Sequence, residues 1–170
     1  KISIESNTVS IRTIGKMYGV DGDSLSRWYK HFISDYEAWE QRYHASDYVL
    51  FKENLGEKLS MDETSLSQGE LYTIITNKSA HGGKGSLVAM IKGTKSDDII
   101  YSLSKLPRHK LLKVKEITID LSPSMRLIAK RAFPNATIVS DRFHVQKLMN
   151  EAISDLRVDY RWQAIDQENT

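Results

Sequence analysis

Asp120 and Asp141 each follow a short apolar run rich in β-branched residues, at 117–119 and 138–139, and Asp62 lies within a third candidate strand, 58–64. These runs are typical of short β-strands, so the carboxylates are predicted at or near strand ends. Carboxylates only a few ångströms apart repel each other unless a cation lies between them. Because Mg²⁺ and Mn²⁺ prefer carboxylate oxygens and activate the attacking oxygen in phosphodiester chemistry, Asp62 and Asp120 predict metal-dependent phosphoryl transfer.

The plainer alternative is that these aspartates only cap the turns and helices that begin where the strands end. Aspartate does this routinely, and Asp120 precedes a predicted helix start at Ser122 and Pro123. Asp141 is well placed to N-cap the following helix, and His144, three positions on, could hydrogen-bond back to it. An aspartate and a histidine alone are too few for a zinc site. The residues by themselves leave both interpretations open.

The segment 116–150 reads as strand, helix, strand and the start of another helix. The first helix is predicted to begin at Ser122, with proline just inside it, and to end at 133–135. Its apolar residues have helical spacing and are predicted to pack on a sheet: Met125, Ile128, Ala129 and Ala132. A unit of this length closes as a right-handed parallel crossover, so Asp120 and Asp141 are expected at the same edge of the sheet. The next helix is predicted to carry the apolar stripe Val145, Leu148, Met149, Ala152 and Leu156.

Three further strands are predicted upstream, at 58–64, 71–77 and 86–92, with turns at Gln68-Gly69 and 82–85. The short connections make them an antiparallel meander. An amphipathic helix follows at 95–106, ended by Pro107, with the apolar stripe Ile99, Ile100, Leu103 and Leu106. If the first strand pairs in parallel with the 117–120 strand, Asp62 lies beside Asp120. The predicted fold class is α/β: a mixed sheet of three antiparallel and two parallel strands with flanking helices.

Residues 10–32 read as two short helices joined near 19–21, which is typical of a helix-turn-helix. Gly15 is small where the helices would cross, Gly19 suits a turn with positive φ, and Asp21 or Asp23 can N-cap the second helix. The predicted core is Ile11, Ile14, Tyr18, Val20, Leu25 and Trp28. The predicted DNA-facing residues are Ser24, Ser26, Arg27, Lys30 and His31. The alternative is an ordinary helical hairpin, because acidic residues at the start of the second helix would face phosphates unfavourably.

A cluster of basic residues follows Pro107, comprising Lys105, Arg108, His109, Lys110, Lys113 and Lys115. Such a run is usually a solvated face. If it lay beside the carboxylates, Arg108, Lys110 and Lys113 could instead bind a DNA backbone. Both interpretations fit the composition of this segment.

The 170 residues are enough for one medium domain and a small appendage, and the formal net charge is only +2. There is no cysteine, which excludes disulfides and thiolate metal sites. No apolar run approaches the ~20 residues of a membrane helix, so the chain is expected to be cytoplasmic, with no membrane partner. The first residue, Lys1, and the polar stretch 164–170 suggest a piece of a longer protein.

Three segments together resemble one known family: 61–94, beginning MDETSLSQGE; 117–125, ITIDLSPSM; and 133–152, FPNATIVSDRFHVQKLMNEA. They are similar to the catalytic domain of insertion-sequence DDE transposases of the ISL or ISAon type, over roughly residues 57–157. The resemblance implies a helix-turn-helix segment and linker at 1–45 and an RNase H-like catalytic domain at 46–170. It also implies Mg²⁺ or Mn²⁺ as cofactor, DNA as partner at the terminal inverted repeats and the target, and a homodimer or larger active complex.

Position by position, the resemblance makes Asp62 the first catalytic acid and metal ligand and Asp120 the second. Asp141 and His144 match an accessory D-x-x-H motif. Such enzymes cut the ends of a mobile element with water and join the freed 3′-hydroxyl to target DNA. The resemblance therefore implies a cytoplasmic protein associated with the nucleoid. The third acid is normally a glutamate on a later helix. The acids available here are expected to solvate a helix instead: Glu151, Asp155, Asp159, Asp166 and Glu168.

The chain is therefore expected to be an incomplete catalytic core with little strand-transfer activity. Two other functions remain compatible with the residues. One is a different RNase H-like nuclease or resolvase, which would lack specificity for element ends. The other is a non-enzymatic helix-turn-helix regulator, which would show no metal-dependent signal that depends on Asp62 and Asp120.

Overall fold

A computed structural model describes residues 9–66 and 69–168. The chain divides into two units, Lys1–Ser46 and Asp47–Thr170. None of the helices within the described residues has the length and apolarity needed to cross a bilayer. The predicted turn at Gln68-Gly69 lies partly outside the described residues, although Gly69 has a φ of 78°.

Within residues 9–46, the first unit has two short α-helices, α1 (Ile11–Met17) and α2 (Gly22–Trp28), a π-helical segment, Tyr29–Ile33, that continues α2, and a 3-10 helix, Glu40–Tyr43. Gly15 lies where the helices cross, because an added Cβ would lie 2.5 Å from the Val20 carbonyl oxygen. Gly19 has a φ of 67° in the turn between them. The predicted roles of both glycines are therefore confirmed.

The predicted core of this unit is only partly correct. Ile14 is buried, whereas Tyr18 and Trp28 are 76% and 57% exposed. Two seven-residue helices that cross at glycines approach closely and enclose little volume, so no interior remains for large aromatic rings. Helical spacing alone assigned those two rings to the wrong environment.

The second unit is built on a six-stranded mixed sheet. Its strands are β1 (Tyr48–Leu50), β2 (Lys58–Ser65), β3 (Leu71–Asn77), β4 (Leu87–Lys92), β5 (Glu116–Ile119) and β6 (Thr137–Ser140). Their order across the sheet is β1-β4-β3-β2-β5-β6. The pairs β1/β4, β4/β3 and β3/β2 are antiparallel, and the pairs β2/β5 and β5/β6 are parallel. This mixed α/β architecture is compatible with an RNase H-like fold.

The predicted meander and the parallel pairing of β2 with β5 are both confirmed. The prediction missed β1, since the region before it reads as a helix or linker. That strand has only three residues, which is too few to show the alternation that identifies a strand. It extends the sheet through its pairing with β4 and leaves the β2–β5 centre unchanged.

Four α-helices accompany the sheet within the described residues: α3 (Ser96–Leu103), α4 (Arg108–Leu111), α5 (Pro123–Ala132) and α6 (Arg142–Glu168). Strand residues Leu59, Ile75 and Ile117 form one hydrophobic cluster with the buried stripes of α3 and α5. The predicted α5 face is fully confirmed; in the predicted 95–106 stripe, Ile100 is only half-buried. Each large apolar side chain buried here stabilises the fold by roughly 1.5–3 kcal/mol.

The start of α5 differs in one detail from the prediction. Ser122 occupies the N-cap position with extended backbone and Pro123 follows it, as predicted. However, the Ser122 side chain makes no capping bond to the backbone, and its Oγ lies 2.6 Å from Ser124 Oγ. The turn into α5 is instead held by Asp120, whose Oδ1 accepts a hydrogen bond from the Ser122 amide.

Candidate functional site

Asp62 and Asp120 lie on the same face at the same edge of the sheet. In the parallel β2/β5 pair, Leu59 is opposite Ile117 and Ser60 is opposite Thr118. Carried two residues further, this register brings Asp62 opposite Asp120. Leu59 and Ile117 are buried in the core, and side chains alternate along a strand, so both aspartates point away from the core. Paired strands are ~5 Å apart, which makes these carboxylates neighbours.

Local backbone amides orient both carboxylates. Asp62 Oδ1 accepts a hydrogen bond from the Glu63 amide at 2.8 Å, and Asp120 Oδ1 accepts one from the Ser122 amide at 2.8 Å. The turn-capping alternative is thus observed for Asp120. It does not exclude metal binding, because no described residue donates to the second oxygen of either carboxylate.

Glu63 is an acid that the sequence analysis missed. Partial burial raises the pKa of Glu63 above its ordinary value, and the negative charges of Asp120 and Asp62 raise it further. These interactions place three carboxylates within electrostatic reach of one another. The adjacent Asp62-Glu63 pair was visible in the sequence, but strand alternation predicts that the two side chains lie on opposite faces of β2, so Glu63 was not grouped with the other acids.

The donor set fits a hard divalent cation. Mg²⁺ is usually held by one or two carboxylates and keeps several water ligands, so Asp62 and Asp120 suffice for an initial site. Across residues 9–66 and 69–168, no group of three or more His, Cys, Asp or Glu side chains is arranged to hold a metal ion. The described residues therefore offer two candidate ligands, Asp62 and Asp120, with Glu63 within electrostatic reach.

Asp141 and His144 lie at the neighbouring strand end. Ile119 is opposite Ser140, and the Asp141 amide donates to the Ile119 carbonyl at 2.7 Å, which places Asp141 at the same edge as Asp120, as predicted. Asp141 Oδ1 accepts from the Phe143 amide at 3.0 Å, which is an N-cap of α6. His144 does not bond back to Asp141; its ring instead packs edge-on against Phe143, with centroids 5.6 Å apart.

A cleft of 270 Å³ opens beside Asp120. Its walls come from the end of β5, the start of α5 and the end of β6. The lining residues are Ile119, Asp120, Leu121, Ser122, Pro123, Arg126 and Ser140. The cleft therefore combines a candidate metal ligand, two hydroxyl groups and one guanidinium.

The acids considered for the third ligand lie on α6, and their side chains are exposed as far as Asp166. Glu151 is the first of these acids, ten residues after Asp141, which is about 15 Å along the helix axis. Its Oε1 lies 3.9 Å from the Lys147 Nζ. The apolar stripe predicted for this helix is also largely exposed, with Leu148, Met149 and Leu156 each more than half exposed.

The basic run after Pro107 does not lie beside the carboxylates, so the condition for its binding a DNA backbone next to them is not met. The Lys115 amide donates to the Glu57 carbonyl just before β2, so the run is at the amino ends of the parallel strands. Asp120 is at the opposite edge, about 15 Å away. Lys110 donates to the Lys52 carbonyl at 2.8 Å, whereas Arg108 and Lys113 are exposed. The short α4 reverses the chain before β5, which separates this surface from the acids.

In the first unit, Asp21 N-caps α2 by accepting a hydrogen bond from the Ser24 amide at 2.8 Å. That bond lowers the pKa of Asp21 below its ordinary value.

Of the predicted DNA-facing residues, Ser26, Arg27, Lys30 and His31 are exposed and Ser24 is half-buried. The Lys30 amine lies 4.7 Å from the centre of the Tyr36 ring, a cation–π contact that holds it near the surface.

Comparison with known proteins connects this geometry to a family. A family model described as a transposase, of the ISL3 type of DDE transposases, matches residues 59–170, which are 112 of the 170 residues. No curated protein and no solved structure gives a significant match. The matched segment contains Asp62, Asp120, Asp141 and His144. The family match implies a nucleic-acid-modifying enzyme whose partner is DNA. The chain belongs to the ISL3-type family of DDE transposases.

Proposed function

We propose that this chain carries part of the active site of an insertion-sequence transposase that cleaves DNA at the element ends and joins the freed 3′-hydroxyl to target DNA. Asp62 and Asp120 hold Mg²⁺ or Mn²⁺ in this proposal, and Asp141 and His144 support the same edge of the sheet. The observation that carries the proposal is the parallel β2/β5 register, which directs both aspartates to one face.

The chemistry follows from the positions of the acids. When bound between the carboxylates, a divalent cation activates an attacking oxygen and stabilises the leaving oxygen of a phosphodiester. Asp62 and Asp120 supply the negative charge that attracts it, and their amide hydrogen bonds fix one oxygen of each. Partial burial raises the pKa of Glu63, and the negative charges of Asp120 and Asp62 raise it further, which supports a local negative field that a cation would neutralise.

DNA recognition is proposed for the first unit. Ser24, Ser26, Arg27 and Lys30 would contact DNA from α2 and the π-helical segment that follows it. Arg108, Lys110 and Lys113 lie at the other edge of the sheet and are not part of this proposal. Support for the first group comes from the exposure of Arg27 and Lys30.

Arg27→Ala and Lys30→Ala are expected to weaken duplex binding because each removes one cation from a phosphate contact. The slope of log affinity against log salt should fall by about one for each variant. Fluorescence anisotropy of a labelled duplex over a salt series measures this. Lys16→Ala, a basic substitution on α1 in the same unit, is the control; equal effects at all three positions would argue against recognition by α2.

The proposed function is tested by the linkage between metal and DNA. If the cation lies between the acids and a DNA phosphate, Mn²⁺ should tighten duplex binding several-fold relative to EDTA, and DNA should tighten Mn²⁺ binding by the same factor. The enhancement should disappear in Asp62→Asn and Asp120→Asn. Equal duplex affinity of the unchanged chain in Mn²⁺ and in EDTA would contradict a metal-dependent DNA enzyme and favour a regulator.

A further inference from the structure

Arg126 is a basic residue that the structure places at the acidic edge. It lies in the first turn of α5 and lines the same 270 Å³ cleft as Asp120. Its backbone is held firmly, because the neighbouring Met125 is fully buried and the Arg126 amide donates to the Ser122 carbonyl at 3.2 Å. The side chain is exposed on the cleft side of a helix whose other face packs on the sheet.

The guanidinium of Arg126 has no ion-pair or hydrogen-bond partner among the described residues. Asp120 borders the same cleft, yet the two groups are not within the 4.0 Å of a salt bridge. Because the Arg126 guanidinium and the Asp120 carboxylate line the same cleft without pairing, open space lies between them. A group that brings its own negative charge could occupy that space.

Electrostatics make a cation necessary at this place. Asp62, Glu63, Asp120 and Asp141 gather at one edge, and a DNA strand approaching them would be repelled. A metal ion can neutralise the carboxylates but does not fix the orientation of the strand. Arginine is suited to that task because its planar guanidinium donates two parallel hydrogen bonds to phosphate oxygens.

We propose that Arg126 binds a phosphate group of the DNA strand that lies beside Asp120. The inference rests on the proposed function, since it assumes that DNA enters this cleft. It assigns Arg126 a substrate-binding role, in which the guanidinium contacts a phosphate while Asp120 holds the cation. The Ser122 and Ser140 residues of the same cleft lie where they can add hydroxyl contacts.

The experiment compares Arg126→Gln with Lys130→Gln, using a labelled duplex in Mn²⁺ buffer over a salt series. Lys130 is an exposed basic residue one turn further along α5 and outside the cleft, so its loss matches the charge change. Arg126→Gln is expected to weaken duplex binding about tenfold and to lower the salt slope by about one. Arg126→Lys should restore part of the affinity, since it keeps the charge and loses the forked geometry.

Mn²⁺ binding in the absence of DNA separates this inference from the proposed function. Arg126→Gln should retain the Mn²⁺ affinity of the unchanged chain, which also shows that the edge is still folded. Arg126→Gln with the duplex affinity of Lys130→Gln would overturn the inference. Unchanged Mn²⁺ affinity in Asp120→Asn would instead overturn the proposed metal site. A chain that does not bind duplex at all would overturn both.

Discussion

Replacing Asp62 or Asp120 with asparagine is expected to weaken Mn²⁺ binding by at least about tenfold, since even residues that only support metal ligands change affinity by 10–100-fold. The double variant should bind no Mn²⁺ at this edge. Asparagine keeps the side-chain oxygen that accepts the Glu63 or Ser122 amide, so the local backbone is retained and only the charge is lost. Isothermal titration calorimetry with Mn²⁺ measures the effect.

Asp141→Asn is the matched control for these variants. Asparagine is as good an N-cap as aspartate, so α6 should begin normally. Because Asp141 is not a proposed metal ligand and its Oδ1 already accepts the Phe143 amide, the variant should lose much less Mn²⁺ affinity than Asp62→Asn. A larger loss in Asp141→Asn than in Asp62→Asn would move the cation to the β5/β6 side and contradict the pairing of Asp62 with Asp120.

Replacing Phe133 with alanine is expected to destabilise the second unit by about 3–5 kcal/mol, a large share of the stability of an ordinary domain. Phe133 is 1% exposed and follows α5 directly, where its amide donates to the Ala129 carbonyl. It closes the core between α5 and β6. Losing the ring leaves a cavity beneath the helix that leads from Asp120 to Asp141.

Urea unfolding followed by far-ultraviolet circular dichroism measures this loss as a lower midpoint. Phe133→Leu is the control, because it keeps most of the apolar volume and should cost less than about 1.5 kcal/mol. A loss below about 1 kcal/mol in Phe133→Ala would show that the ring is not part of the packed core.

The centre of the fold was predictable because its signals are local. The apolar alternation of 58–64 and 71–77 gives the two central antiparallel strands, and the Ser122-Pro123 start with the spaced apolar residues of α5 gives the crossover helix. A strand-helix-strand unit of this length joins two parallel strands. The carboxyl ends of parallel strands lie at the same edge of the sheet, so the shared edge of Asp120 and Asp141 followed from the order of elements.

The features that could not be predicted depend on distant contacts. The strand β1 exists because β4 offers it an edge, and three residues carry no periodicity of their own. The charge of Asp120 reaches Glu63 because β2 pairs with β5, two strands that are far apart in the sequence. Arg126 could be assigned to a helix from the sequence, but its place in the Asp120 cleft depends on how α5 leaves the sheet.

The exposure of Tyr18 and Trp28 and the position of the basic run share a different cause. Helical spacing identifies which residues share a face, but not whether another element covers that face. The charge of Arg108 and its neighbours predicts an anion-binding surface, while its location is set by the turn of α4 at the amino ends of the strands. Composition therefore predicted the chemistry of this surface and not its distance from the acids.

Paramagnetic broadening by Mn²⁺ in amide-resolved NMR spectra tests most directly whether Asp62 and Asp120 hold one cation together. The Glu63 and Ser122 amides, which donate to these two carboxylates, are the natural reporters. Both should broaden together at substoichiometric Mn²⁺, and both should stay sharp in Asp62→Asn and Asp120→Asn. Broadening of only one amide, or of α6 amides beyond Glu151 in place of both, would contradict a shared metal site at the β2/β5 edge.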